Sequence, residues 1–351
     1  MNIMVTGGAG FIGSHLCEAL LAQGHRVINI DSFHDYYPFE IKIKNVLEST
    51  NNCELIKDFN DIILKNQDKI SKNEIIKTLA DVVENKNYKL YFCDIRNMES
   101  LDKIFCEETP ELVINLAGLA GVRPSLAKPL LYEDVNVHGT MNLLELCNKY
   151  EIKKFIQASS SSVYGNNKTV PFKETDVVDF AISPYAATKK SCEVMGHVYH
   201  ALYNIDMFQL RFFTVYGERQ RPDLAIYKFT KLITEGKEIS MYGNGDTFRD
   251  YTYIKDIIQG ILKSIDYLMN HENVYEILNL GESHTVSLKN MIETLEKYLG
   301  IKAKINILPL QMGDVDKTYA DITKASELIG YCPQTSFEEG IEKFINWYKN
   351  R

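Results

Sequence analysis

The stretch MNIMVTGGAGFIGSHLCEALLAQGHRVINID, residues 1–31, decides the fold. Asn2–Thr6 is a short apolar strand that leads straight into Gly7, Gly8, Gly10 and Gly13. Phe11–Gln23 then reads as a helix with Gly24 as its stop signal, and Arg26–Ile30 as a second buried strand ending at Asp31. In this order of strand, glycine turn, helix and acidic strand end, backbone N–H groups at a helix N-terminus can approach a pyrophosphate. Gly7, Gly10, Phe11, Ile12 and Gly13 are therefore expected against a dinucleotide. The Asp31 carboxylate would accept hydrogen bonds from the adenosine ribose hydroxyls and repel a 2′-phosphate, which favours NAD over NADP. A glycine pattern alone recurs by chance; its place between strand and helix carries the reading.

Outward from this unit the alternation continues. Leu90–Cys93 ends at Asp94, Leu112–Leu116 ends at Ala117-Gly118, and a long helix from about Tyr132 to Tyr150 precedes the strand Phe155–Ser159. Strands alternating with helices predict a Rossmann-type, doubly wound parallel sheet with right-handed crossovers. Residues 40–88 interrupt the rhythm: they lack Gly and Pro, and Ile75, Ile76, Leu79 and Val83 have helical spacing, so surface helices are expected there. After the strand Met207–Phe213 the elements shorten to strands at Ser240–Tyr242, Tyr275–Leu280 and Lys304–Leu308, with helices near 223–236, 255–270 and 287–299. The expected organisation is a dinucleotide domain of residues 1–213 plus about 251–278, and a smaller C-terminal α/β substrate lobe of 214–250 and 279–351.

With 351 residues the chain exceeds the roughly 250–300 at which single cores stop growing, which fits one large domain with an appended lobe. A net charge of −8 argues against a broad nucleic-acid or anionic-membrane surface, although a few well-placed Arg and Lys can still hold a small anion. The seven cysteines are scattered, with no CxxC pair and no metal spacing, which suggests reduced thiols and a cytoplasmic protein without a bound metal. Cys17, Cys93 and Cys147 read as core filler. No signal segment precedes the first strand, and no apolar run approaches the roughly 18 residues of a membrane span.

The chemistry sits further along. Ser159-Ser160-Ser161-Ser162 is followed by Tyr185-Ala186-Ala187-Thr188-Lys189. A Tyr and a Lys four residues apart share one face of a helix, and an ammonium nearby favours the phenolate. With a serine hydroxyl added, this is a proton-handling site for a sugar-like alcohol. The glycine spacing GxxGxxG, Ser160–Ser162 before Val163-Tyr164-Gly165, the Tyr185/Lys189 pair, Arg211-Phe212-Phe213-Thr214 and Arg249-Asp250-Tyr251 together resemble the extended short-chain dehydrogenase/reductase family over most of the chain.

That resemblance implies Tyr185 as acid/base, Lys189 as its partner and a holder of the nicotinamide ribose, and Ser160 as the hydroxyl on the reacting sugar oxygen. It also implies cofactor contacts at Asp94, Ile95, Leu116, Ala117, Gly118, Asn136 and Phe213. Dehydratases of the family carry an Asp-Glu pair before the Val-Tyr-Gly, and decarboxylases a Glu; Ser161 and Ser162 stand there instead, and elimination lacks its proton donor. The stretch RFFTVYGERQRPD, residues 211–223, looks most like UDP-glucuronate 4-epimerases. By that similarity Ser161, Ser162, Thr214, Arg221, Tyr242, Arg249 and Asp314 would hold the UDP-sugar, with Tyr242 and Arg249 at its uridine and diphosphate. Oxidising C4 of a glucuronate makes a β-keto acid that loses CO2 easily, and an Arg221 fork on the carboxylate would hold it away from that geometry. The plainer, less favoured reading is that Arg219 and Arg221 bind only phosphate or form surface pairs. The implied reaction passes hydride from C4 to tightly held NAD and returns it to the other face of a 4-keto sugar. Other readings are a neutral-sugar 4-epimerase acting on UDP-glucose or UDP-N-acetylglucosamine, a decarboxylase, and a non-catalytic NAD-binding regulator. A homodimer through the Tyr185 helix and the helix near 132–150 is implied as well. Asn115, where many relatives have His, and the length of the 40–88 insertion depart from the family pattern.

Overall fold

The computed structural model describes residues 1–65, 70–83, 85–309 and 317–350. Its strands are β1 (Asn2–Thr6), β2 (Arg26–Asp31), β3 (Tyr88–Phe92), β4 (Leu112–Asn115), β5 (Lys154–Ser160), β6 (Asp206–Phe212), β7 (Thr214–Tyr216), β8 (Glu238–Tyr242), β9 (Phe248–Tyr253), β10 (Tyr275–Leu280), β11 (Thr285–Ser287) and β12 (Lys304–Leu308). Seven of them form a sheet in the order β10-β6-β5-β4-β1-β2-β3, parallel throughout. Strand order reverses at β1, which is flanked by β2 on one side and β4 on the other. In open parallel sheets that reversal leaves a crevice at the carboxyl ends of the strands.

Both faces of the sheet are covered, and the strand period of two divides the apolar residues between them. Ile3, Val5, Leu112, Ile114, Ile156 and Phe208 enter one buried cluster; Met4, Val113, Phe155 and Met207 enter the other. The first cluster runs on without a break into residues of the C-terminal part, among them Tyr251, Leu295 and Phe344. There β7, β9 and β11 form a three-stranded sheet and β8 pairs with β12.

Several expectations shift. β3 begins at Tyr88 and stops at Phe92, because its partner β2 ends at Asp31 and the register Asp31↔Phe92 closes the ladder. The long helix starts at Pro129, not Tyr132, and carries a π-turn at Asp134–His138 before resuming over Gly139–Lys149. The 40–88 segment is helical at Phe39–Ser49, Ile56–Lys65 and Lys72–Val82, but it is not mere surface. Ile43, Val46, Leu47, Phe59, Ile75, Ile76 and Leu79 are buried with Leu16 and Leu20 of the glycine-turn helix. The aromatic and charged strand β9, FRDYTY, was not legible as a strand; it lies between β7 and β11.

Candidate active site

The glycine turn is built by close approach. Gly7 sits at φ +74°, where side chains are strained, and a Cβ there would stand 2.9 Å from the Ala117 nitrogen. A Cβ on Gly13 would stand 2.1 Å from the Gly7 carbonyl oxygen, so the helix Phe11–Ala22 can start only this close to β1 if that residue is glycine. Gly10 caps that helix without a side-chain acceptor, leaving its first N–H groups to a ligand. Asp31, at the end of β2, accepts from the Ala9 N–H at 3.1 Å and the Phe33 N–H at 2.7 Å.

A cleft crosses the carboxyl ends of the strands from this turn to Tyr185 and Lys189. It is lined by Gly7, Gly10, Phe11, Ile12 and Gly13, by Asp31, Asp94 and Ile95, and by Leu116, Ala117 and Gly118. Arg221 stands on its wall beside Tyr36 and Tyr37. Segments more than two hundred positions apart, from Gly7 to Arg221, are thus brought together. Ser160, Ser161, Ser162, Thr214, Tyr242, Arg249, Asn136 and Phe213 are not among its lining residues. Asp314 lies outside the described residues.

The residues around the phenol are firmly placed. Ser183 caps the helix Pro184–Tyr203 through the Ala186 N–H, and Tyr185 and Lys189 are both buried on it. The Lys189 ammonium donates to the Ala158 carbonyl of β5 at 2.8 Å. Ser160 ends β5, and its Oγ accepts the Ser162 N–H at 3.1 Å, which leaves its own proton to donate. Behind it Ser159 donates to Glu193 at 2.7 Å, and Glu193 receives both Nε and Nη2 of the buried Arg211 at 2.8 Å. Asn136, in the π-turn, accepts the Leu119 N–H at 2.7 Å and donates to the Leu119 carbonyl and to Thr188 at 3.0 Å. It clamps the loop after β4 to the Tyr185 helix. Asn115 is fully used in the sheet interior: it accepts from Thr6 and donates to Thr140 and Gln157.

Other expected residues have plainer surroundings. Phe213 packs with Val163, Tyr164 and Phe172. Thr214 opens β7, Tyr242 ends β8 beneath the Arg123 guanidinium at 5.3 Å, and Arg249 lies in β9. Arg219, expected in a surface pair or on a phosphate, is held by two carboxylates. It is buried, with Nη2 on Glu18 at 2.8 Å and Nε on Glu48 at 2.9 Å. Burial opposes the charge on Asp94, yet the hydrogen bonds from Arg96 win and hold its carboxyl below the usual range.

Three contributors were missed. Lys42, from the inserted helix, reaches Asp31 Oδ1 at 3.3 Å and lines the cleft. Tyr37 has a buried hydroxyl without a hydrogen-bond partner, 3.9 Å from where a Cβ on Gly10 would lie. Tyr132 stands edge-on to Tyr185 with ring centres 6.2 Å apart. None has a periodic or motif signal. The free N–H groups, the unpartnered Tyr37 hydroxyl beside them and the acceptor Asp31 fit the phosphate and ribose of a dinucleotide. Among the described residues no group of three or more His, Cys, Asp or Glu is arranged to hold a metal.

This crevice, with a glycine turn at one end and a Tyr/Lys helix at the other, is that of a dinucleotide-dependent sugar-nucleotide enzyme, and residues 3–281 place the chain in the NAD dependent epimerase/dehydratase family. The UDP-glucuronate 4-epimerase of Thermodesulfobacterium geofontis is 40% identical over 347 residues, covering 99% of this chain and 95% of that one. The crystal structure of a UDP-glucuronic acid 4-epimerase from Bacillus cereus, in complex with UDP-glucuronic acid and NAD, matches with a TM-score of 0.84 at 34% identity, covering 100% of this chain and 99% of that one. A UDP-glucose 4-epimerase of Thermotoga maritima with UDP-glucose matches at 0.80 and 30% identity over the same shares of the two chains.

Proposed function

We propose that this chain is an NAD-dependent 4-epimerase that interconverts UDP-glucuronate and UDP-galacturonate. The observation that carries the reading is the meeting of the glycine turn, Tyr185, Lys189 and Arg221 in one cleft, with no carboxylic acid in the serine run. Support for the sugar comes from relatives named for UDP-glucuronate along nearly the whole chain.

Gly7–Gly13 and Asp31 hold the pyrophosphate and adenosine ribose of NAD, and Lys189 holds the nicotinamide ribose while staying anchored on Ala158. Bound there, NAD would supply the hydride acceptor and donor for C4 of the sugar. Tyr185 removes the 4-hydroxyl proton and later restores it, while the Ser160 hydroxyl keeps its proton and donates a hydrogen bond to the same oxygen. Ser161, Ser162 and Thr214 touch the sugar; Tyr242, Arg249 and Asp314 hold the uridine diphosphate. Asn136 and Phe213 complete the cofactor site, Asn136 from behind through Leu119. Arg221 grips the sugar carboxylate. The uridine-diphosphate subsite belongs to residues 214–250 and 279–351, and the dinucleotide to 1–213 with about 251–278; the place of β10 in the large sheet supports a return of the chain there, whereas all of β9 goes with the smaller sheet, where Tyr251–Tyr253 pair with β7.

We also read a homodimer through the Tyr185 helix and the helix before β5. Val194, Val198 and Leu202 form an i, i+4, i+8 apolar stripe on the former, 51%, 36% and 64% exposed, and Leu130 in the first turn of the latter is 82% exposed. A monomer in sedimentation at micromolar concentration would remove this. The seven unpaired thiols suit a reducing cytoplasm, and no helix among the described residues is long and apolar enough to cross a membrane.

The function is tested by proton NMR of purified protein with UDP-glucuronate, UDP-glucose or UDP-N-acetylglucosamine and no added NAD. Galacto-configured signals from UDP-glucuronate alone are expected. Signals from a neutral sugar only would sink the role of Arg221 and leave the epimerase chemistry standing.

A further inference from the structure

Arg221 does not swing freely at the cleft wall. Its Nε and Nη2 donate to the two carboxylate oxygens of Asp223 at 3.0 and 2.9 Å. Its guanidinium carbon lies 5.0 Å from the centre of the Tyr36 ring. A guanidinium has two forked edges, and Asp223 occupies the side edge, Nε with one proton of Nη2. The end edge, formed by Nη1 and the other Nη2 proton, points away from Asp223. Tyr36 is tied in its turn: its hydroxyl donates to the Ala120 carbonyl at 2.7 Å, and the Tyr132 hydroxyl donates to the same oxygen at 2.7 Å. The Tyr132 ring meets Tyr185 edge-on at 82°. A continuous run of contacts therefore leads from Tyr185 through Tyr132, the Ala120 carbonyl and Tyr36 to Arg221 and Asp223.

We propose that this run is a fixed spacer between the proton-handling phenol and the anion-binding guanidinium, with Asp223 and Tyr36 as positioning residues that aim the end edge of Arg221 at the carboxylate of an acidic sugar. It rests on the reading of Arg221 given above and adds how the fork is aimed. Asp223 cancels most of the charge of Arg221 at a distance, so the pair attracts anions weakly in general. An anion aligned with the end edge still gains two charge-assisted hydrogen bonds. Selection then depends on where the carboxylate lies relative to the 4-hydroxyl, a spacing that the tyrosine run holds constant.

The test uses the full-length enzyme with its bound NAD and compares Arg221→Lys, Asp223→Asn, Tyr36→Ala and Tyr36→Phe in initial-rate epimerisation of UDP-glucuronate. Asp223→Asn and Tyr36→Ala are expected to raise KM about tenfold while kcat falls less than about threefold, since each loosens binding rather than proton transfer. Tyr36→Phe keeps the ring under the guanidinium but cuts its tie to the Ala120 carbonyl, and is expected to raise KM about threefold, between the parent and Tyr36→Ala. Bound NAD per chain, measured on the same preparations, shows that the variants are folded. If Arg221→Lys raises KM and Asp223→Asn leaves it unchanged or lowers it, Asp223 is a bystander or a competitor and the spacer is overturned alone. An Arg221→Lys enzyme with unaltered KM overturns the carboxylate reading and the spacer with it.

Discussion

Lys42 shows how a single side chain can matter without leaving a mark in the sequence. It is 11 positions beyond Asp31, in a helix of a segment that breaks the strand–helix rhythm, and it is buried with its ammonium on the Asp31 carboxylate. Asp31 itself was legible because the acidic residue ends the strand after the glycine turn. Its partner was not, because a lysine in a lysine-rich stretch has no distinguishing spacing. Lys42→Ala removes one of three donors to Asp31 and a wall of the cleft. The variant is expected to lose NAD during purification and to need added NAD, with affinity weakened about tenfold. NAD content by absorbance after denaturation checks this, and a full complement of cofactor would exclude a role for Lys42.

At the scale of elements, β1, the glycine-turn helix and β2 were read to within a residue or so at every end. Their signals are local: a glycine run, a helix stop and an apolar strand. The π-turn at Asp134–His138 was missed because it depends on Asn136 bonding Leu119 and Thr188 from two other segments. The same holds for the buried pair behind the serine run. Glu193 lies on the Tyr185 helix one turn beyond Lys189, and it ties that helix to β5 through Ser159 and to β6 through Arg211. Arg211 also donates to Tyr164 at 2.9 Å. Glu193→Gln strands the Arg211 charge in the interior and is expected to cost about 3–5 kcal/mol in urea unfolding. Adding Arg211→Met to it should return much of that loss, since no buried charge then remains. Equal destabilisation by the single and double variants would contradict this account.

Over the whole molecule, buried ionisable groups set opposing pH limits. Glu282 has its pKa raised to about 8, first by burial and then by the charges of Asp256 and Asp250. Asp250 is raised to about 6 by burial, although four hydrogen bonds from Glu282, Ser283, Ala320 and Thr252 oppose the shift. Folded Glu282 binds its proton more tightly than the unfolded chain does. Its contribution to stability is therefore complete below the ordinary value of 4.5 and is lost as the pH rises towards 8. His15 works the other way. Burial and Arg219 lower it to about 3, so its contribution is complete above 6.5 and is lost as the pH falls. Glu282→Gln should thus gain stability over the parent between pH 5 and pH 8.5, on the order of 1–2 kcal/mol because Glu282 is partly solvated. Thermal melts across that range check it, and a constant difference would assign the pH dependence elsewhere. Neighbouring residues sufficed to define the parallel sheet, the dinucleotide turn and the Tyr185/Lys189 helix, because periodicity, turn chemistry and helical spacing act over a few positions. The clamp on Arg219, the partner of Asp31 and the seat of the Arg221 guanidinium on the Tyr36 ring came from the packing of segments apart in the chain, where contact depends on topology and is not written into any local pattern.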